Sequence, residues 1–297
     1  MLVELGFPEY IKVTDLGCSS GPNTFLAMSG IVNTIIDLYH QKGRTDLPEI
    51  DYFLNDLPEN DFNTTFKLLP SFQKGLKTIL KGRCFMSGTP GSFYSRLFPK
   101  KSLHFVHLSY SIHWLSKVPQ GLKEDDNKKS VFLNSSSTQK VYKSYLDQFQ
   151  TDFSLFLKMR SEEIMPNGRM VLVFMGRQAS DPMYRDCFHP HVGLVKESEV
   201  DAFNMPFYDP TKGEVKDVIE SEGSFEINKI ETREFAVHYA SGEDVVDESS
   251  DQFKQWQNIA NIIIKKYAIH VAKHLTVSVR PTKTTVNIVV SKGPHWL

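Results

Sequence analysis

Cysteine is scarce. Cys18, Cys84 and Cys187 are the only three in 297 residues. They are too few and too scattered for a disulfide framework or a zinc site. A reducing intracellular setting, the cytoplasm, is the matching expectation. An excess of either charge is also missing: 34 Lys and Arg stand against 35 Asp and Glu, a formal net charge of -1. This argues against bulk electrostatic binding to nucleic acid or to an anionic membrane. Long apolar runs are absent too. The longest are of the size of Val171-Leu172-Val173-Phe174-Met175, whereas spanning a bilayer takes about 20 residues. The opening MLVELGFPEY has no basic n-region and no cleavable apolar stretch, so no secretory signal is visible. Internal repeats and low-complexity tracts are lacking. What remains is ordinary globular composition, with 40% hydrophobic, 23% charged and 12% aromatic residues. A chain of this length buries roughly 75% of its unfolded surface and needs no covalent staples.

Short β-rich runs alternate with helical patterns. Strands are expected at Tyr10–Asp15, Ile50–Leu54, Arg83–Ser87, Leu103–Leu108 and Met170–Met175, the last after the turn Pro166-Asn167-Gly168. Two more are expected late, at Ser224–Thr232 and Thr285–Ser291, as a hairpin-like pair. Helical spacing marks Phe25–Tyr39, Val141–Ile164 and Phe253–Leu275. In the second of these, Tyr145, Phe149, Phe153 and Phe156 share one face. Strand–helix alternation predicts an open α/β sheet with ligands at the carboxyl ends of its strands. Two segments break the rhythm, Ser116–Gln139 and the Pro-punctuated Gln178–Gly213. Both read as insertions over the active face.

The first strand runs into Asp15-Leu16-Gly17-Cys18-Ser19-Ser20-Gly21-Pro22-Asn23-Thr24. Its glycines allow a tight turn and close approach of a ligand. The spacing is not G-x-G-x-x-G, and no Gly-Lys-Ser/Thr follows, so neither a pyrophosphate nor a γ-phosphate is the natural guest. The second strand ends at Asn55-Asp56-Leu57-Pro58. An acidic residue there can accept hydrogen bonds from both hydroxyls of a ribose, although it would serve equally as a helix cap or turn residue. Together the two motifs suggest an adenosine ligand without phosphates, which S-adenosylmethionine satisfies.

Five ordered stretches then make the pattern specific. They are Asp15–Thr24; Leu54–Pro58 with Asn60-Asp61-Phe62-Asn63; Pro90-Gly91-Ser92-Phe93-Tyr94 with Arg96–Pro99; Ser109–Ser116; and Val200–Pro206. The sequence resembles the plant SABATH family of S-adenosylmethionine-dependent methyltransferases over most of its length. The resemblance implies an α/β class I methyltransferase fold, a Rossmann-like sheet with an inserted, mainly helical cap. It implies a single domain over 1–297, with core at about 1–115, 139–177 and 214–297 and cap insertions at about 116–138 and 178–213. Family members methylate carboxyl groups of small plant acids such as salicylate, benzoate or jasmonate, or ring nitrogens of xanthines, and are commonly homodimers. On these positions Cys18 and Asn23 would sit by the methionine end of the cofactor. Asp56 would hold the ribose, Leu57 would lie against the adenine, and Ser92 and Phe93 would frame it. S-adenosylhomocysteine would be the product.

Tyr110, His113 and Trp114 follow the fourth strand and would face the acceptor. In related enzymes the tryptophan indole N–H donates to the substrate carboxylate, and His113 could add a second donor. A carboxylic acid with a pKa near ~4 is already ionised at neutral pH, so no general base is needed. Taken singly, a Trp after a strand and a lone His are more often structural. The resemblance further implies a Mg²⁺ site formed by Asn127, Asp201, Asn204 and the backbone carbonyl of Phe203; an Asp/Asn-rich turn without metal is the plainer reading. His189-Pro190-His191 reads as a surface turn.

The sequence departs from the family in three places. An upstream Ser-Tyr-Ala-x-Asn-Ser stretch and nearby Gln do not precede Met1. Only Phe188–Gly193 stands where a cap helix is expected between Cys187 and Leu194. A His-Phe-Gly motif is missing between Asn258 and Lys265. A protein lacking these segments is expected to bind cofactor weakly or not at all. The leading expectation is carboxyl methylation of a small acid, supported by His113-Trp114 and by Gly176–Pro182. N-methylation of a xanthine and a truncated, inactive homologue are the alternatives.

Overall fold

A computed structural model describes residues 1–75, 82–122, 126–127, 133, 137–177, 204–235 and 283–291. Five parallel strands form its centre: β1 (Tyr10–Leu16), β2 (Glu49–Asp56), β3 (Cys84–Pro90), β4 (Leu103–Ser109) and β5 (Ile164–Gly176). Two late strands, β6 (Glu226–Phe235) and β7 (Lys283–Ser291), complete the sheet in the order β3-β2-β1-β4-β5-β7-β6. The expected pairing of the last two strands is present: β7 runs antiparallel to both β5 and β6. Helices α1 (Asn23–Gln41), α2 (Phe62–Gly75), α3 (Gln139–Glu163) and α4 (Lys212–Glu222) accompany the strands.

The central strands are apolar on both faces, as a sheet covered on both sides requires. Ile11, Val13, Ile50, Tyr52 and Leu54 pack with Met28, Val32, Ile35 and Tyr39 of α1 in one core. Leu16, Val106, Leu108, Leu172 and Phe174 pack in a second with α3 and with Val215, Val218 and Ile219 of α4. The expected apolar face of α3 is the buried one, because Tyr145, Phe149, Phe153 and Phe156 are all at most 1% exposed. Phe149, Phe153 and Phe156 stack along it with centroids 5.5 and 6.1 Å apart.

Several elements depart from expectation. β5 begins at Ile164, directly after α3, and the turn Pro166-Asn167-Gly168 is a bulge inside it. Leu103 pairs with Ile164 but Phe105 already pairs with Arg169, so extra residues loop out between them. β3 continues past Ser87 to Pro90. Helices α2 and α4 were not expected. α2 carries Pro70 in its interior, which obscures its pattern, and it is capped where Asp61 Oδ1 accepts from the Thr64 amide at 3.0 Å. α4 opens with a capping box, Thr211 with Glu214, and closes at Gly223 in the left-handed region. The expected helix Phe253–Leu275, Cys187, His189-Pro190-His191 and the 258–265 segment lie outside the described residues. No helix among the described residues is long and apolar enough to cross a membrane.

Candidate active site

Connections from β1 lead to β2 on one side while β4 lies on the other, so the strand order reverses between β1 and β4. A crevice therefore opens at the carboxyl ends of these two strands. Two non-glycine residues with positive φ flank it, Ser19 at 56° and Tyr110 at 55°. Such backbone costs on the order of 1–3 kcal/mol and persists where the surroundings over-determine it, often at functional sites.

Gly17 is the meeting point of three motifs. Its φ is +74°, and an added Cβ would lie 2.1 Å from Ser111 Oγ and 3.7 Å from the Phe93 ring. Ser111 is held in turn, its hydroxyl donating to the carbonyls of Gly17 at 3.2 Å and Ser109 at 3.1 Å. The amides of Gly17 and Cys18 both donate to the Asn55 carbonyl at 2.9 Å, tying the first loop to the end of β2. The buried Asn55 amide donates to the carbonyls of Thr89 at 2.7 Å and Gly91 at 2.9 Å. One asparagine thus joins the ends of β1, β2 and β3.

Asp56 is partly exposed at the lip of the crevice. Its Oδ2 accepts from the Ser19 amide and its Oδ1 from the Leu57 amide, both at 2.8 Å. An ionised carboxylate has about four acceptor positions. Leu57 and Phe93 are partly exposed nearby, and Asn23 is exposed at the start of α1. Phe93 packs on Tyr94 and Phe156 at 4.7 and 6.0 Å between centroids. Ser92 Oγ accepts from the Tyr94 amide at 3.2 Å. Cys18 is buried. Burial first, and then the Asp56 and Asp15 carboxylates, push its thiol well above the usual range, which keeps it neutral.

The 92–98 loop rests on a buried ion pair. Arg160 and Glu163, both 0% exposed, approach to 2.8 Å. Arg160 donates to the carbonyls of Phe93 at 2.9 Å and Ser95 at 2.8 Å. Glu163 Oε1 accepts the amides of Leu97 at 2.5 Å and Phe98 at 3.0 Å. Beneath the first loop, Asp15 accepts from Thr24 Oγ1 at 2.5 Å and faces His107 Nδ1 at 2.7 Å. Neither cluster was foreseen. Arg160 and Glu163, three apart on a helix, look like a surface pair in sequence.

After β4, Tyr110 is 46% exposed, Trp114 is partly exposed and His113 is buried. The returning segment 205–208 runs against them. Tyr208 N donates to His113 O at 2.9 Å, and Leu115 N donates to Pro206 O at 2.8 Å. Phe207, unremarked in the sequence, sets its ring 4.9 Å from His113 and 5.1 Å from Trp114. Tyr94 donates its hydroxyl to Trp114 O at 2.7 Å, linking the 92–98 loop to the segment after β4. Asn127 and Asn204 meet as well: Asn127 Nδ2 lies 3.4 Å from Asn204 Oδ1, and Ser137 donates to Asn127 Oδ1 at 3.0 Å. Asp201 and Phe203 lie outside the described residues.

A sheet of this order, with a glycine turn after β1 and an acidic residue ending β2, is of Rossmann type and has the layout expected of an S-adenosylmethionine-dependent methyltransferase. Comparison narrows this. The family described as "SAM dependent carboxyl methyltransferase" matches residues 1–282, and the chain belongs to it. It is an O-methyltransferase that esterifies a carboxyl group with the methyl group of S-adenosylmethionine. A salicylate/benzoate carboxyl methyltransferase of Arabidopsis thaliana is 50% identical, with 98% of this chain and 82% of that protein covered. That alignment spans 317 positions, more than the 297 residues of this chain, so the relative carries internal residues that this sequence skips. A benzoic acid/salicylic acid carboxyl methyltransferase of Petunia hybrida is 46% identical over 80% of this chain and 70% of its own length. Among solved structures, a loganic acid methyltransferase with S-adenosylhomocysteine superposes with a TM-score of 0.74 at 28% identity, covering 97% of this chain and 87% of that one.

Proposed function

We propose that the acceptor is a small aromatic carboxylic acid of the benzoate or salicylate type. The carrying observation is the aromatic triad at the end of β4, in which Phe207 packs edge-on against Trp114 and beside His113. It sets three rings tilted 53–74° to one another, an angled aromatic wall with an indole and an imidazole in it, suited to a ring bearing one carboxylate. The relatives named for salicylate and benzoate add to this reading. A neutral xanthine would need donors and acceptors for ring carbonyls and nitrogens, and the triad is mostly apolar.

In the mechanism that follows, S-adenosylmethionine supplies a methyl group on a sulfonium, which is a good leaving group. The residues present fit it. Gly17 leaves room where a side chain could not be tolerated, and the Asp56 carboxylate stands partly exposed at the lip of the same crevice. Asp56 would hold the ribose, Leu57, Ser92 and Phe93 the adenine, and Cys18 and Asn23 the amino-acid end. Trp114 and His113 would hold the acceptor carboxylate by hydrogen bonds, with Tyr110 bordering the pocket. No residue need remove a proton, because the acid is ionised at neutral pH. The protein's work is alignment and exclusion of water, which can contribute up to roughly 7–11 kcal/mol.

We also propose that Asn127, Asn204, Asp201 and the Phe203 carbonyl hold Mg²⁺ structurally, a hard-oxygen set with one carboxylate. Asn127 and Asn204 already lie in contact, with the Asn127 amide nitrogen 3.4 Å from Asn204 Oδ1, so the Asn127 amide would have to turn its oxygen toward the ion. The same reading includes one domain with two cap insertions, a homodimer and a cytoplasmic location. Incubation with labelled S-adenosylmethionine and benzoate, salicylate, jasmonate, indole-acetate and theobromine tests the acceptor. Ester formation with the first two supports it, and labelling of theobromine alone overturns it.

A further inference from the structure

We propose that Arg177 is a positioning residue for the acid-binding pair His113–Trp114, acting through the strap of residues 205–208. The inference rests on the reading that this pair holds the acceptor carboxylate. Arg177 directly follows β5, and its side chain is only 11% exposed. Its Nη2 shares its N–H groups among Glu214 Oε1 at 2.5 Å, the Tyr142 hydroxyl at 2.7 Å and the Tyr208 hydroxyl at 3.1 Å. The guanidinium plane also lies over the rings of Tyr142 and Tyr208, 5.3 and 5.8 Å from their centroids. Its backbone amide donates to Pro210 O at 3.1 Å.

Glu214 is a fixed anchor for this cation. Its Oε2 accepts the Thr211 amide at 2.7 Å while Thr211 Oγ1 accepts the Glu214 amide at 3.1 Å, the reciprocal cap of α4. One carboxylate oxygen therefore pins the helix start and the other pins Arg177. From Tyr208 the path to the pocket is one hydrogen bond long, since its amide donates to His113 O at 2.9 Å. Phe207 next to it touches both rings of the pair. Without the guanidinium, the Glu214 carboxylate and two phenols face one another around a missing cation, and the strap loses its fixed end. Trp114 would then sample other tilts, and alignment of the acceptor would suffer more than cofactor binding.

Arg177→Gln and Arg177→Lys, with Tyr208→Phe as a variant that removes a single hydroxyl, test this in the full chain. Three quantities are measured: KM for benzoate, Kd for S-adenosylmethionine, and hydrogen exchange of peptides covering 111–116 and 205–209. Arg177→Gln is expected to raise KM about tenfold and to speed exchange in both peptides. Cofactor Kd should stay within about twofold, Lys should restore part of the loss, and Tyr208→Phe should show a smaller change of the same kind. Unaltered exchange in those peptides overturns the inference, and so does an equal weakening of cofactor and acid. Should the wild-type chain leave every acid of the panel unmethylated, the acceptor reading fails by itself, while the exchange comparison still decides the role of Arg177. If Arg177→Gln does not fold, Arg177→Lys and Tyr208→Phe carry the comparison.

Discussion

Gly17 and Ser111 are packed so that no side chain fits between them: a Cβ on Gly17 would lie 2.1 Å from the Ser111 hydroxyl oxygen. The contact closes β1 against β4 at the point where the strand order reverses. Gly17→Ala therefore meets both a clash and an unfavourable φ of +74°. Its expected result is loss of measurable S-adenosylmethionine binding by calorimetry. Adding Ser111→Gly removes the clash but not the backbone strain, and should restore binding only in part. Full recovery would show that φ at Gly17 is unimportant.

Asp56 offers a graded test of the ribose site. Both of its oxygens accept backbone amides at 2.8 Å. In Asp56→Asn one amide must face an NH₂ group, and the charge is gone. Hydrogen bonds to charged groups contribute about 1.5–3 kcal/mol. The cofactor Kd should therefore rise by roughly 10- to 150-fold, read by calorimetry. A Kd unchanged in Asp56→Asn would reduce the residue to a turn-former.

Much of this candidate site is legible in sequence because its residues stand where the strands end. Glycine and acidic residues at strand ends are visible without coordinates, and so is the apolar face of α3. What stayed hidden depends on residues distant in the chain. Arg177 gathers Tyr142, Tyr208 and Glu214, none closer than 31 positions away. Phe207 gains meaning only once the strap returns to Trp114. The start of α4 was readable: Thr211-Lys212-Gly213-Glu214 has the spacing of a capping box. In β5 the residues Pro166-Asn167-Gly168 suggest a turn ahead of the strand, but parallel pairing with β4 absorbs them inside it as a bulge.

The ion pair of Arg160 and Glu163 supports the 92–98 loop from inside the core. Removing one partner of such a pair leaves an uncompensated charge, at a cost of roughly 3–5 kcal/mol. Glu163→Leu is expected to lower the urea midpoint accordingly. The double variant Arg160→Met with Glu163→Leu should remain well below wild type. It strips partners from the carbonyls of Phe93 and Ser95 and from the amides of Leu97 and Phe98. Recovery to wild-type stability would mean the loop does not need them.

Trp114 separates binding of acid from binding of cofactor. Trp114→Phe keeps an aromatic surface against Phe207 but removes the indole N–H. Loss of one hydrogen bond to a carboxylate predicts a fall in kcat/KM of roughly 10- to 150-fold. Calorimetry should find cofactor affinity within about twofold of wild type. Unchanged turnover would move the donor role elsewhere.

Alkaline pH should weaken the fold from two cysteines. Burial is the leading cause in both cases: it pushes Cys18 well above the usual thiol range and Cys84 up to about 12. Nearby carboxylates act in the same direction, Asp56 and Asp15 on Cys18 and Asp51 on Cys84. In the unfolded chain these thiols ionise near pH ~8.5–9, so above that the unfolded state holds fewer protons than the native one. The stabilisation is complete below that range and is lost as pH climbs toward the folded values. Each thiol adds at most about 1.4 kcal/mol of loss per pH unit. Urea midpoints at pH 7.5, 9 and 10 should fall slightly over the first interval and more steeply over the second. In Cys18→Ala with Cys84→Ala the fall should be shallower. A midpoint as steep in that double variant as in wild type would assign the alkaline loss instead to the phenols of Tyr145 and Tyr208, which burial also pushes up.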